Sequence, residues 1–422
     1  IPKATIIRAD FISKHDFNAT ATLTAVPEPG YLFSGWSGDL SGTTNPATLQ
    51  MTQDYEVNAT FVPALGDTDG DGTSNYAEGL LSVACGSSHS FLLKTDGSLW
   101  GVGSNDFGQL GDGTTTTIQT FEEIIPSGVI SISAGYSHSV FLLEDGSLWG
   151  MGRNDMGRLG DGTVIDRSMP VQIEPSGVTK VVCGMHNTFY VKTDGSVWGV
   201  GRNGNGILGD GTTLDRNISV QIISSGVVDI SVGFRPDNQA LFLMTDSSLW
   251  GVGSNQGRLG DGVGTMRYKP IMIRSSGVQG MSAGNQHSIY LDQNGSLWSM
   301  GLNHNGYLGD GTTNNRLSPI EIVSSGVTWT STFDETSFFL DSGGIVWGWG
   351  RNSAGQLGDG STTDRLSPVQ ILTEQISRED FAQGYRHALF IKEDGSLWGM
   401  GQTADYRMGD GQDTVDLLVP TQ

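Results

Sequence analysis

From Ser82 onward the chain alternates short apolar runs with glycine-rich turns, and the alternation returns about every 50 residues. In the first unit SVACG and FLLK are apolar runs of strand length, TDGS is the turn that pairs them with a third run, and SLWGVG is that third run. A fourth run precedes the recurring SGV turn, as PVQI, ISVQII, PIMI and PIEI in successive units, and PVQI returns in the sixth. Runs of this length bounded by Gly, Asp and Asn read as strands, and adjacent ones across a tight turn read as antiparallel. Four such strands make a propeller blade, a unit that has no means of burying both its faces and must stack on neighbours. The turn and tryptophan, DGSLW or a close variant, ends at Trp100, Trp149, Trp198, Trp250, Trp298, Trp347 and Trp398. Seven units predict a closed ring, with the C-terminal LLVPTQ as the last blade's fourth strand. The fold class is all-β: a seven-bladed β-propeller with a small N-terminal β domain.

Three regions follow: residues 1–62, a short acidic linker at 63–81, and the ring from 82 to 422. In the first, ATATLTAV and YEVNATF alternate apolar and polar positions between PEPG and SGDLSGTTNP, the period of a small β domain. Trp36, in FSGWSG, reads as a core or turn-packing residue. The stretch TLTAVPEPGYLFSGWSGDLSGTTNPATLQMTQDYEVNATF resembles the internalin-type B-repeat of exported bacterial surface proteins, which implies an extracellular spacer or adhesion module.

The linker carries DTDGDGTSNYAE, in which Asp67, Asp69, Asp71, Thr73, Asn75 and Glu78 occupy positions 1, 3, 5, 7, 9 and 12 of a calcium loop and Gly72 the tight turn at position 6. Three carboxylates within five residues repel one another unless a hard cation or solvent screens them, so Ca2+ is the expected cofactor. The segment resembles the calcium repeats of thrombospondin type 3 and the loops of dockerins. A single loop without helical flanks predicts a clip that orders the junction rather than a sensor.

Charge narrows the partners. The chain has 45 Asp and Glu against 23 Lys and Arg, a formal charge of -22. With no basic run to offset it, this field argues against nucleic acid. No segment approaches the roughly 18 apolar residues of a membrane span. The start at Ile1, without a methionine, fits removal of a leader, and export is the expectation drawn from it. The two cysteines, Cys85 and Cys183, hold one position in repeats one and three, where others carry alanine; they read as small buried thiols too far apart to pair.

Most polar residues that repeat in register read as structure. His89, His138, His186, His287 and His387 are placed at one blade position, with Gln239 and Thr336 in repeats four and six, and are expected to bond turns. The GDG aspartates, Asp112, Asp161, Asp210, Asp261, Asp310, Asp359 and Asp410, are followed in five units by Arg167, Arg216, Arg267, Arg316 and Arg365, predicting inter-blade or loop-closing ion pairs. Repetition selects no single histidine or carboxylate pair for chemistry, so the chain is read as a non-enzyme. The departures are the partner-binding candidates: Phe234, Arg235, Asp237 and Asn238, with Pro236, in a three-residue insertion of repeat four, and Phe333, Asp334 and Glu335 in repeat six.

In register, the G-x-x-H-S, DGSLW and N-x-x-G-Q-L-G elements resemble the regulator of chromosome condensation repeat family, including the bacterial beta-lactamase inhibitor propellers, over about 80% of the chain. The resemblance implies a seven-bladed ring. Together with the N-terminal modules it leads to one expectation: an exported bacterial cell-surface or appendage protein acting in recognition, adhesion or assembly. Its partner would be an extracellular protein or glycan, or a second copy of the chain. A secreted inhibitor using a propeller rim, or a carbohydrate-binding or processing protein, is the alternative.

Overall fold

The computed structural model describes residues 7–9, 20–25, 31–38, 40–41, 44, 47–50, 57–63, 79–236, 238–372, 376–392, 395–409, 411 and 416–422. The chain divides into two compact units, Ile1–Glu78 and Gly79–Gln422. In the first, β1 (Ile7–Ala9), β2 (Thr20–Ala25) and β4 (Ala47–Gln50) form an antiparallel sheet, and β3 (Tyr31–Gly38) pairs with β5 (Val57–Pro63). Leu23, Trp36 and Ala47 make its buried cluster. The Trp36 indole N–H donates to the Thr44 carbonyl at 2.9 Å, as a buried indole requires. The calcium-loop candidates Asp67, Asp69, Asp71, Thr73, Asn75 and Glu78 lie outside the described residues.

The second unit is seven four-stranded sheets, each built from strands consecutive in sequence. Blade one is β6 (Leu80–Cys85), β7 (His89–Lys94), β8 (Leu99–Gly103) and β9 (Ile118–Ile125), all antiparallel. The innermost strands of the next six blades are β10 (Val129–Ala134), β14 (Val178–Cys183), β18 (Val227–Val232), β22 (Val278–Ala283), β26 (Val327–Phe333) and β30 (Ile376–Gly384). The last strand, β33 (Leu417–Thr421), pairs within blade seven, so the C-terminal run does supply its fourth strand. β30 packs on β6, and one buried cluster joins Val83 and Leu92 of blade one to Leu389, Ile391 and Met408 of blade seven. The ring is thereby closed by side-chain packing between the first and last blades.

Each blade interior alternates with an inter-blade layer. Phe91, Leu93 and Leu110 of blade one meet Val129, Phe141 and Met151 of blade two in one buried cluster, with Trp149 packed on it. Burial on both faces explains why β7, HSFLLK, carries a continuous apolar run, FLL, rather than alternating. Glycine is required at Gly103, whose φ is +103° and where a Cβ would stand 2.5 Å from the Ser88 carbonyl oxygen. At the hairpin turn Gly97, φ +80°, passes so close to Gly128 that a Cβ would lie 2.7 Å from its nitrogen.

The repeated ion pairs are loop-closing and stay within a blade. Arg167 meets Asp161 at 2.6 Å, and Arg216–Asp210, Arg267–Asp261, Arg316–Asp310 and Arg365–Asp359 repeat the contact at 2.6 to 2.7 Å. An asparagine completes the knot: Asn154 donates to Asp161 and accepts the Leu159 N–H. Asp410 lies outside the described residues.

Candidate functional site

The link from the innermost strand to its neighbour, such as the one between β6 and β7, lies at the same end of every blade. These seven links gather at one mouth of the ring, termed here the loop face. The DGS turns lie at the opposite end, the turn face.

Beneath the loop face runs a belt of imidazole contacts between blades. His89 Nε2 lies 2.8 Å from Ser139 Oγ, His138 3.1 Å from Thr188 Oγ1, His287 2.6 Å from Ser337 Oγ and His387 3.2 Å from Ser90 Oγ. The hydroxyls of Ser139, Thr188 and Ser90 give their protons to the carbonyls of Gln109, Arg158 and Arg407. Each must accept from the ring, which assigns the neutral tautomer with the proton on Nε2. Burial, and then the charge of Arg407, pushes His89 down to about 3. Gln239 fills the same role in blade four through Ser288 at 3.1 Å. Both thiols are free and buried, and burial pushes each up to about 12, which keeps them protonated.

His186 departs from the expected column. Strand pairing places Asn187 opposite Gly201, as His89 lies opposite Gly103, so Asn187 holds the belt position and His186 precedes it. The strand begins only at Asn187 (Asn187–Lys192), so His186 stands in the link that precedes it. His186 therefore joins the loop face, where its Nδ1 lies 3.0 Å from Arg158 and its ring meets Tyr136 edge-on at 6.0 Å. Desolvation, and after it Arg158, pushes its pKa down to about 4.

The departures of repeats four and six are brought together at this mouth. Phe234 and Phe333 lie with ring centroids 4.3 Å apart, and Tyr136 of blade two is 6.5 Å from Phe234. Arg235 of blade four reaches Glu335 of blade six at 2.6 Å, and Arg351 meets the other oxygen of Glu335 at 2.9 Å. Asn285 of blade five donates to Asp334 from its side chain and, at 2.9 Å, from its backbone N–H; Gln286 bonds Glu335 at 3.2 Å. Asn238 folds the insertion back on itself by donating to the Gly233 carbonyl. Phe234, Asp334 and Glu335 are each only 3% exposed and Asn238 is fully buried. They form the floor of the mouth rather than protruding anchors, and the Glu335 carboxylate is paired across blades. The exposed members are Tyr136, at 37%, and Arg235, whose side chain is 42% exposed. Asp237 lies outside the described residues. Burial, and after it the charge of Glu335, pushes the Asp334 carboxyl up to about 7.

Sequence reasoning looked for basic runs and missed a basic column. Arg153, Arg202 and Arg351 follow the third strand of blades two, three and six, and their backbone N–H groups donate to the loop-face carbonyls of Ser137, His186 and Glu335 at 2.8 to 3.0 Å. Arg158, Arg258 and Arg407 share a second column and are buried. Arg407 donates to the carbonyls of Ser87 in blade one and Tyr385 in blade seven, and so ties the ring closure. The signal was present as G-R-N in repeats two, three and six and as an arginine before the LG or MG pair in repeats two, four and seven.

Comparison with known proteins bears on the fold. The Regulator of chromosome condensation (RCC1) repeat is matched over residues 81–109, 129–158 and 278–306 in one form and over 96–142, 145–191 and 343–391 in another. The Divergent InlB B-repeat domain is matched over residues 13–64. No curated protein matches the chain by sequence. Among solved structures, human WBSCR16 is 21% identical, with 75% of this chain and 88% of that one covered and a TM-score of 0.65. Saccharomyces cerevisiae Prp20p, described with its binding to Gsp1p and histones, is 20% identical over 78% of this chain and 86% of its own, with a TM-score of 0.68. Prp20 in complex with Kap60 is 18% identical over 76% and 82%, also at 0.68.

These matches correct the expectation of an exported bacterial surface protein. The ring assigned to a cell surface is shared with human and yeast proteins, and the partners named for the yeast ring are proteins rather than an extracellular glycan. The extracellular location, the extracellular protein or glycan partner and the inhibitor and carbohydrate alternatives are withdrawn with it. The physical reason is that a propeller joined to a spacer-like β module specifies a scaffold, not a compartment. The chain is a seven-bladed β-propeller with a small N-terminal β-domain, and several of its blades match the RCC1 repeat.

Proposed function

We propose that the chain is a protein-recognition propeller that presents its loop face to a protein partner and performs no bond-making chemistry of its own. The observation that carries this reading is the interlocked mouth: Phe234, Arg235, Phe333 and Glu335, from repeats 100 residues apart, meet in a preformed floor ringed by exposed Tyr136 and Arg235. A surface ordered before association loses little conformational entropy on binding, and exposed Tyr and Arg are the side chains that anchor protein partners. The neutral buried imidazoles and protonated thiols are suited to packing rather than to nucleophilic or acid–base work. Prp20p, which shares the fold, is described as binding Gsp1p and histones, and these set the partner class to try first.

The test is hydrogen–deuterium exchange on the full chain alone, with Gsp1p and with core histones. Saturable binding with protection at residues 234–236 and 333–336 is expected. Failure of both to bind, or binding without protection of those segments, overturns the proposal.

A further inference from the structure

We infer that the outer edge of blade three, β17 (Arg216–Ile223), is a strand-addition site whose ligand is an extended segment of a partner protein, apolar at alternate positions and bearing a carboxylate. The fourth strand of each blade ends its sheet, so one side of its backbone has no strand beside it. Such an edge is a template for another chain unless proline or charge blunts it. Five of the seven edges carry a proline at the fourth residue of the strand. They are Pro170 in β13 (Arg167–Glu174), Pro270 in β21 (Arg267–Arg274), Pro319 in β25 (Arg316–Val323), Pro368 in β29 (Arg365–Gln370) and Pro420 in β33. β9 has Phe121 there, followed by exposed Glu122 and Glu123. β17 has Ser219, and the run ISVQII that completes it carries neither proline nor charge, with Ile218 65% exposed. The Asn217 carbonyl already accepts the Gly162 N–H of blade two at 2.9 Å, so the open length is residues 218–223, enough for one short strand.

Strand addition takes affinity from the main chain and specificity from pockets for alternate side chains. Beside β17 there is such a pocket. A groove of about 470 Å³ runs between blades three and four, lined by Ile222 and Ile223 of β17 and by Met244, Trp250, Lys269 and Pro270 of blade four. In blades one, three and seven a lysine, Lys94, Lys192 or Lys392, lies over the blade's tryptophan at 3.5 to 4.8 Å. Met244 stands in register with Lys94 and Lys192, each opposite the first residue of its inner strand. The groove therefore has an adaptable apolar wall where those blades have a charge.

The charged groups of the groove select the occupant. Asp210 is held by Arg216 at 2.6 Å, whereas Lys269 makes no ion pair among the described residues. A carboxylate on the incoming segment supplies the counter-ion of that ammonium, while its apolar side chains enter over Met244 and Trp250. A second copy would bring its own excess of acid, 45 Asp and Glu against 23 Lys and Arg, against the same excess here. A segment of a different protein avoids that repulsion. The edge lies on the outer wall of the ring, away from the mouth described above, and stands independently of the loop-face reading.

The experiment is fluorescence anisotropy with the full chain and a labelled peptide of about eight residues that alternates Val with Thr and ends in Glu. Saturable binding is expected, with hydrogen exchange slowed at residues 218–223 and unchanged at residues 234–236. Ser219→Pro, which gives β17 the residue that five other edges carry, should weaken binding by about ten-fold or more, while Ser219→Ala should bind as wild type. Lys269→Gln should weaken it by about three-fold. Thermal melting of each variant separates lost binding from lost fold. A peptide N-methylated at alternate residues tests main-chain pairing on the unaltered protein and should not bind. Absence of peptide binding, equal binding of the N-methylated form or of Ser219→Pro, or protection elsewhere than residues 218–223 would each overturn the inference. A chain that is dimeric in light scattering and becomes monomeric with Ser219→Pro would assign the edge to a second copy and overturn it as well. If the peptide fails while Gsp1p or histones still protect the mouth, strand addition falls and the recognition proposal stands.

Discussion

On the turn face each repeat makes its Asp–Ser–Trp contacts within itself, and its link to the next repeat is the same each time, as Val129 N–H donates to the Gly97 carbonyl and Val178 N–H to that of Gly146, both at 3.0 Å. Asp96 accepts the Ser98 N–H at 2.8 Å, and the Trp100 indole donates to Ser98 Oγ at 3.1 Å, two residues away. The arrangement recurs at Asp145, Ser147 and Trp149, at Asp194, Ser196 and Trp198, and at Asp246, Ser248 and Trp250. In blades five and six Asp292 and Asp341 substitute, each accepting the indole N–H through Oδ2. At the mouth on the loop face contacts also run between repeats: Arg235 answers Glu335, Phe234 answers Phe333, and His89 answers Ser139. Local contacts permit seven near-copies. Contacts across blades require a change in one repeat to be matched in another, and the departures of repeats four and six come as such a matched set.

Breaking that set should cost more than breaking a turn. Phe234→Ala removes a buried ring from the floor and is expected to lower stability by about 3–4 kcal/mol in urea unfolding, with accelerated hydrogen exchange in blade six as well as blade four. An effect confined to blade four would show that the two repeats are not coupled. Glu335→Ala leaves Arg235 and Arg351 without their shared carboxylate. Both guanidiniums remain partly exposed, so a loss of about 2 kcal/mol is expected, and restoring the acid as Asp should recover part of it. A double-mutant cycle with Arg235→Ala measures the link between blades directly.

The two faces should also respond to pH with opposite signs. The folded-state pKa of Asp334 is raised to about 7, so the folded protein holds a proton that the unfolded chain releases near 4. Stability from this group is therefore highest below about pH 4 and falls by up to about 1.4 kcal/mol per pH unit as pH rises toward 7. Asp334→Asn should flatten that slope in pH-dependent denaturation. On the turn face the Ser98 hydroxyl and backbone N–H hold Asp96 below its ordinary value, and the serines of the next three turns do the same for Asp145, Asp194 and Asp246. Those carboxylates stabilise the fold above their unfolded pKa, and the contribution is lost as pH falls through the lowered values. The smallest effect is expected for Ser98→Ala, about 1 kcal/mol, with exchange changed in blade one alone. A change reaching the neighbouring blades would erase the distinction between the faces.

The ring was legible because its signals are local and repeated. DGSLW fixes a hairpin turn and a third strand wherever it occurs, and the fourth strand and the closing LLVPTQ followed by register. The loop-closing half of the Arg–Asp expectation held, as Arg167 and Asp161 are six residues apart and meet within one loop. His186 was misplaced because GMHNTF holds its histidine one residue early, and a motif scan sees the residue while the strand counts the position. The departures at Phe234 and Phe333 were recognised as unusual, but not as partners, because nothing in the sequence connects positions 234 and 333.

By itself, then, the sequence determined the blade, the number of blades and the order of strands within each, because hairpin geometry and alternating burial act over a few residues. Tertiary structure alone decided which side chains from different repeats share a mouth. A search along the chain finds no basic run in an acidic protein, since Arg153, Arg202, Arg235 and Arg351 stand tens of residues apart. Closing the ring brings one end of every blade to the same mouth, so that Arg235 and Arg351, 116 residues apart in number, meet on one carboxylate, Glu335. Electrostatic fields depend on distance in space, and for this fold that distance is set by ring closure rather than by separation along the chain.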